Sequence, residues 1–125
     1  MPQTKIQVYR AKNGTVPLKE WLVNLQKMDK RAFAKCVAMI LRLEQLGHEL
    51  RRPESAPLRD GIHELRTRVG TVNYRLLYSF NGKNTGLLLL GCTKEDKVPD
   101  ELINLAVDWR NKATANPKVH IATFD

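Results

Sequence analysis

The chain has 125 residues, 42% of them hydrophobic and 27% charged, which suits one domain with its own core and excludes a disordered or fibrous protein. No apolar run approaches the roughly 20 residues of a membrane span, and the first residues lack the apolar stretch of a signal peptide, so a cytoplasmic protein without membrane contact is expected. The net charge of +8 turns attention to a polyanionic partner, with a basic surface kept for solubility as the plain alternative.

Residues 5–10 alternate in polarity and predict a strand, and Ala11-Lys12-Asn13-Gly14 predicts a turn. Pro17 suits the first turn of a helix, and Leu18, Trp21, Leu22 and Leu25 give it an apolar stripe. Asp29 is placed to cap a second helix, whose period runs through Phe33, Cys36, Val37, Ile40, Leu43 and Leu46 to a stop at Gly47. The short link between the two helices predicts an antiparallel hairpin. Pro53 and Pro57 break residues 51–57 into a loop.

Residues 62–68, 72–80 and 85–92 then predict three strands of an antiparallel meander, with turns at Gly70-Thr71 and at 81–84. The four leucines at 87–90 have no polar face, as in a strand covered on both sides. Pro99 opens a last helix with Leu102, Ile103, Ala106 and Trp109 on one face, and residues 117–125 form a tail. The expectation is a single α+β domain over 1–125: an N-terminal strand and a helical hairpin packed on a mostly antiparallel sheet, plus a C-terminal helix.

Cys36 and Cys92 lie far apart with no metal-ligand spacing around them, so they are expected to be reduced thiols, and neither metal nor cofactor is expected. The basic excess gathers in residues 51–94, which carry eight bases against three acids, six of the eight being arginine. Strand alternation places Glu64, Arg66 and Arg68 on one face and Asn73, Arg75, Leu77 and Ser79 on one face of the next strand. Paired as a hairpin, Arg66 and Arg75 become neighbours. Like charges so placed are costly unless an anion lies between them. That anion is a bound phosphate or, on the structural alternative, Glu64. Lys94 falls beside the same sheet and completes a cradle of three cations. His63, on the other face, is expected to pack inward, as are Tyr74 and Tyr78; His48 and His120 receive no role.

Such a cradle has one clear chemistry. RNA supplies its own nucleophile in the 2′-hydroxyl, so cations that stabilise charge growing on the phosphorane oxygens can promote cleavage without a metal. No residue stands out as the general base.

Pro17-Leu18-Lys19-Glu20-Trp21-Leu22, the segment from Leu58 through Arg59, Asp60, Gly61, Ile62, His63, Glu64 and Leu65 to Arg66, Tyr74-Arg75-Leu76-Leu77-Tyr78, Leu89-Leu90-Gly91-Cys92-Thr93-Lys94 and the Pro99 helix with Ala106 resemble the RelE/ParE toxin superfamily, in particular its HigB-type, phage-derived branch. The resemblance runs from about Lys5 to Arg110. It implies a RelE-like fold and the toxin of a type II toxin–antitoxin system, a ribosome-dependent endoribonuclease that cleaves mRNA and inhibits translation. It further implies a HigA-like helix-turn-helix antitoxin as partner, with operator DNA bound only through the toxin–antitoxin complex. Arg66 and Arg75 match the family's phosphate-stabilising arginines and Lys94 a further cation; Arg51, Arg52, Arg59 and Arg68 would meet RNA backbone. Leu90, Cys92 and Glu95 depart from the family pattern, where a histidine, an aromatic and a second base are common. The alternatives on the same scaffold are a ParE-like gyrase inhibitor without catalysis and an inactive relic that binds only antitoxin or DNA.

Overall fold

A computed structural model describes residues 3–93 and 97–124. After strand β1 (Lys5–Tyr9), Pro17 opens helix α1 (Pro17–Met28) and Asp29 separates it from α2 (Lys30–Leu46). The Asp29 carboxylate accepts the Ala32 N–H at 3.1 Å, which is the cap expected at the start of α2. A turn at Gly47–Glu49 follows, then β2 (Ser55–Pro57), β3 (His63–Val69), β4 (Val72–Phe80), β5 (Thr85–Thr93), α3 (Asp100–Ala115), the single-turn α4 (Pro117–His120) and β6 (Ile121–Thr123). Gly47 ends α2 at φ 53°, where a side chain is strained, and a Cβ there would run into the buried Thr4 hydroxyl.

The six strands form one sheet in the order β2-β3-β4-β5-β1-β6, antiparallel except where β1 lies beside β5. The protein is an α+β domain with that mostly antiparallel sheet at its centre. One face is covered by the hairpin of α1 and α2, which buries Leu18, Leu22, Cys36, Ile40 and Leu43 against Leu65, Leu76, Tyr78 and Leu88. The other is covered by α3, whose Ile103, Ala106 and Ala113 pack on Leu77, Leu87, Leu89 and Leu90. The leucine run is therefore buried from both sides, as its lack of a polar face predicts. Burial pushes the Cys36 thiol up to about 12, so it is an inert core residue.

Two short strands depart from the expected loop and tail. Ser55–Pro57 pairs with β3, Ser55 opposite Leu65 and Pro57 opposite His63. Proline is tolerated there because β2 is an edge strand, with ladder bonds needed on one side only. Residues 121–123 pair with β1, Tyr9 opposite Ile121, and His120 is held by its Nδ1 contact to the Arg10 carbonyl at 2.9 Å and by stacking on Tyr9. The tail is thus the sixth strand.

A register shift between Leu77 and Tyr78 marks a bulge in β5, with Leu77 opposite Leu90 but Tyr78 opposite Leu88. The extra residue, Leu89, reverses the alternation beyond it. Leu90 and Cys92 consequently share the α3 side with Leu87 and Leu89. Gly91 turns to the other side, where a Cβ would lie 2.6 Å from the Trp21 ring.

Candidate functional site

The tight turn at Gly70 fixes the register of β3 on β4 and sets Arg66 directly opposite Arg75. Arg75 in turn faces Cys92 on β5, so Arg66, Arg75 and Cys92 form one row across three strands on the α3 side of the sheet. Two residues back along β3 lies Glu64, which is only 3% exposed. Its Oε1 is 2.8 Å from Arg75 Nη1 and 3.7 Å from Arg66 Nε. One carboxylate therefore holds two guanidinium groups together, and the trio keeps one net positive charge. Arg75 is buried with Glu64, whereas 41% of the Arg66 side chain remains exposed. Arg66 is thus the outward cation of the trio, and Arg75, opposite it on β4, is the buried one.

Arg66, Arg68, Asn73 and Arg75 line an open cleft of about 540 Å³ at the free end of the β3–β4 hairpin, where β2 no longer covers the edge. Arg68 is steadied by its Nε bond to the Gly70 carbonyl at 2.9 Å, and Lys35 reaches the Arg68 carbonyl at 2.7 Å. The acid on the rim, Glu54, is engaged by Arg42 through two bonds of 2.9 Å. That side-chain bond holds the Glu54 carboxyl below its ordinary range and raises Arg42. Among the described residues, the cleft therefore presents cations in the open while the carboxylates at and beside it, Glu54 and Glu64, are engaged. A phosphodiester fits that chemistry.

The other expected RNA-binding residues separate. Arg59 turns to α3, donating to Asp60 at 2.8 Å and to Asn104 at 2.6 Å. Together with Arg110, which bonds the Asp60 carbonyl, it fastens the β2–β3 loop to α3. Arg51 and Arg52 line a second cleft of about 440 Å³ with His48, Ser55 and His63. Lys94 and Glu95 lie outside the described residues.

The two histidines of the second cleft carried no functional signal in the sequence. His63 sits on the α1–α2 side of the sheet, as alternation predicts, stacked 5.3 Å from Tyr78 and set edge-on to Phe80 at 5.5 Å. His48 stacks on the same Phe80 at 3.7 Å. Burial first, and the neighbouring His48 second, lower the His63 pKa. The folded protein therefore takes up this proton less readily than the unfolded chain. Stability from this group is full above the unfolded histidine value of ~6.5 and drains as pH falls through it toward the lower folded value. Urea midpoints should fall between pH 7.5 and pH 5.5, and His63→Gln should shrink that difference.

Among the described residues, no helix is long and apolar enough to cross a membrane. No curated protein matches the chain. Residues 23–110 match the model of a family described as phage derived protein Gp49-like (DUF891). That match takes in α2, the β3–β4 hairpin with Glu64, Arg66 and Arg75, and most of α3. It spans more than two thirds of the sequence, and the chain belongs to the Gp49-like family of phage-derived proteins, which is associated with the toxins of toxin–antitoxin pairs.

Proposed function

We propose that this protein is the toxin of a type II toxin–antitoxin pair, built on a RelE-like fold of the HigB branch, and that it cleaves mRNA on the ribosome. The observation that carries the reading is the pairing of Arg66 and Arg75 across the hairpin with Glu64 shared between them, because it presents one half-exposed guanidinium on a rigid sheet at an open cleft. A flexible surface arginine would have to be ordered at each encounter. This one is already held.

In the proposed reaction the 2′-hydroxyl of a bound nucleotide attacks the adjacent phosphorus and the bond to the 5′-oxygen breaks. The products are a 2′,3′-cyclic phosphate and a 5′-hydroxyl end. The proton leaving the 2′-oxygen balances the proton gained by the 5′-oxygen, so no outside reagent is consumed. Arg66 stabilises the charge that builds on the non-bridging oxygens, and Glu64, itself fixed by Arg75, holds Arg66 in place. Lys94 is the further cation of this scheme. The neutralising partner is a HigA-like helix-turn-helix antitoxin, and the complex of the two binds operator DNA. The site of action is the cytoplasm, where translating ribosomes are.

A translating extract with a defined mRNA tests the reading. Wild-type protein should cut within codons occupying the ribosome, and Arg66→Ala should lower the cutting rate roughly 100-fold, the loss typical of removing one preorganised donor to a transition-state oxyanion. Arg66→Lys should recover part of it, since charge returns without the planar fork. Intact mRNA with the wild-type protein would overturn the enzyme reading, and accumulation of gyrase–DNA cleavage complexes would replace it with a non-catalytic inhibitor.

A further inference from the structure

The cleft beside β2 has a composition that the arginine row does not explain. His48, Arg51, Arg52 and His63 line it together with Ser55 and Pro57, and among the described residues no carboxylate lines it. Three acids adjacent in sequence to lining residues lie outside the cleft, and Glu64 is with Arg75 on the opposite face of the sheet. Glu54 is taken up by Arg42 through its two bonds, and Glu49 lines a neighbouring hollow with Lys83. Two arginines beside two titratable imidazoles, with no carboxylate between them among the described residues, make a cleft whose positive charge grows as the imidazoles are protonated.

The imidazoles are also fixed in place. His48, Phe80, His63 and Tyr78 form a continuous series of ring contacts from the end of α2 across the sheet. At its base the Tyr78 hydroxyl shares a 2.6 Å hydrogen bond with the buried Ser55. That bond ties the ring series to β2, the strand forming the cleft wall. His48 Nε2 also lies 3.5 Å from the Gly82 carbonyl. The charged and titratable groups around the two rings are thus Arg51 and Arg52 in the cleft, Glu49 and Lys83 beyond His48, and the Tyr78 hydroxyl beneath His63.

His63 and Glu64 are consecutive on β3 and point to opposite faces, so this cleft and the Arg66–Arg75 row lie on the two sides of one strand near the free edge of the sheet. We propose that the cleft is a second phosphate site, which holds a phosphodiester of single-stranded RNA through Arg51 and Arg52 and tightens as His48 and His63 become protonated. The RNA in this assignment rests on the function proposed above; the phosphate chemistry rests on the cleft. Binding of the polyanion favours the charged imidazoles, so the bound state takes up protons and affinity rises as pH falls through the histidine range.

A fluorescent single-stranded RNA 12-mer, titrated with the full chain carrying Arg66→Ala to suppress cutting, reads the proposal by anisotropy. Affinity should rise roughly tenfold or more from pH 8.0 to pH 5.5, as one protonation coupled by about one pK unit gives a tenfold change. Arg51→Gln with Arg52→Gln should weaken binding and flatten the salt dependence by roughly 1.4 in slope, two single-strand phosphate contacts at about 0.7 each. His48→Gln with His63→Gln should abolish the pH dependence. Proton NMR of the unmutated imidazoles gives a second readout independent of variant folding, with both titration midpoints moving upward when the 12-mer is added. Unchanged midpoints on bound protein, or full affinity and salt slope in the double arginine variant, would overturn the second site. Failure of mRNA cutting in the extract with these binding results intact would remove the nuclease reading and leave the cleft standing.

Discussion

Replacing Arg75 with alanine is expected to lower the unfolding free energy by about 3–5 kcal/mol, the cost of leaving a buried carboxylate without its partner. Glu64 is 3% exposed and Arg75 is 8% exposed, and their 2.8 Å contact is the short arm of the trio. Arg66 cannot substitute, since its Nε stands 3.7 Å from the same oxygen and its side chain is half in water. Replacing both partners, Glu64→Leu with Arg75→Met, should recover much of the loss because neither charge of the pair is then left buried alone. Arg66→Ala should cost under about 1 kcal/mol, as an exposed arm of an ion pair does. Urea denaturation of the four proteins checks the pattern. Equal losses at Arg66 and Arg75 would contradict the placement of the charge.

The second large effect belongs to the core. Leu88 is fully buried in β5, with Tyr78 beside it on one neighbouring strand and Val8 beside it on the other, beneath the helical hairpin. Leu88→Ala should cost about 2–5 kcal/mol, because the lost methyl groups leave a cavity that strands held on both sides cannot close. Val72, 41% exposed at the start of β4, is the control, and its alanine variant should stay within about 0.5 kcal/mol of the parent. Denaturant midpoints at constant m-value separate the two.

The parts of the fold with a period were legible. Leu18, Leu22 and Leu25 recur at helical spacing and are buried, and Asp29 caps α2 because a short carboxylate between two helical runs has an N–H to accept. The pairing of Arg66 with Arg75 followed from alternation and one glycine turn, and so did the possibility that Glu64 sits with one of them. The structure gives Glu64 to both, more closely to Arg75. Three features had no local signal. A strand of three residues, such as β2 or β6, is too short to show a period of two. The bulge at Leu89 cannot be read in a run of four leucines, since either face of each is apolar. His48, His63 and Phe80 meet only because the end of α2, the start of β3 and the end of β4 lie side by side, which no spacing along the chain encodes. Arg59 illustrates the converse: its charge was legible, but its destination on Asn104 depends on where α3 docks.

The pairing of residues 121–123 with β1 has a practical corollary for expression. A chain cut back to Asn116 would strip β1 of its outer neighbour, turning an interior strand into an open template of unpaired amides and carbonyls. Truncations made to trim a seemingly dispensable end would then precipitate or dimerise edge to edge, and affinity handles are better carried on a spacer beyond the last residue than spliced into that segment.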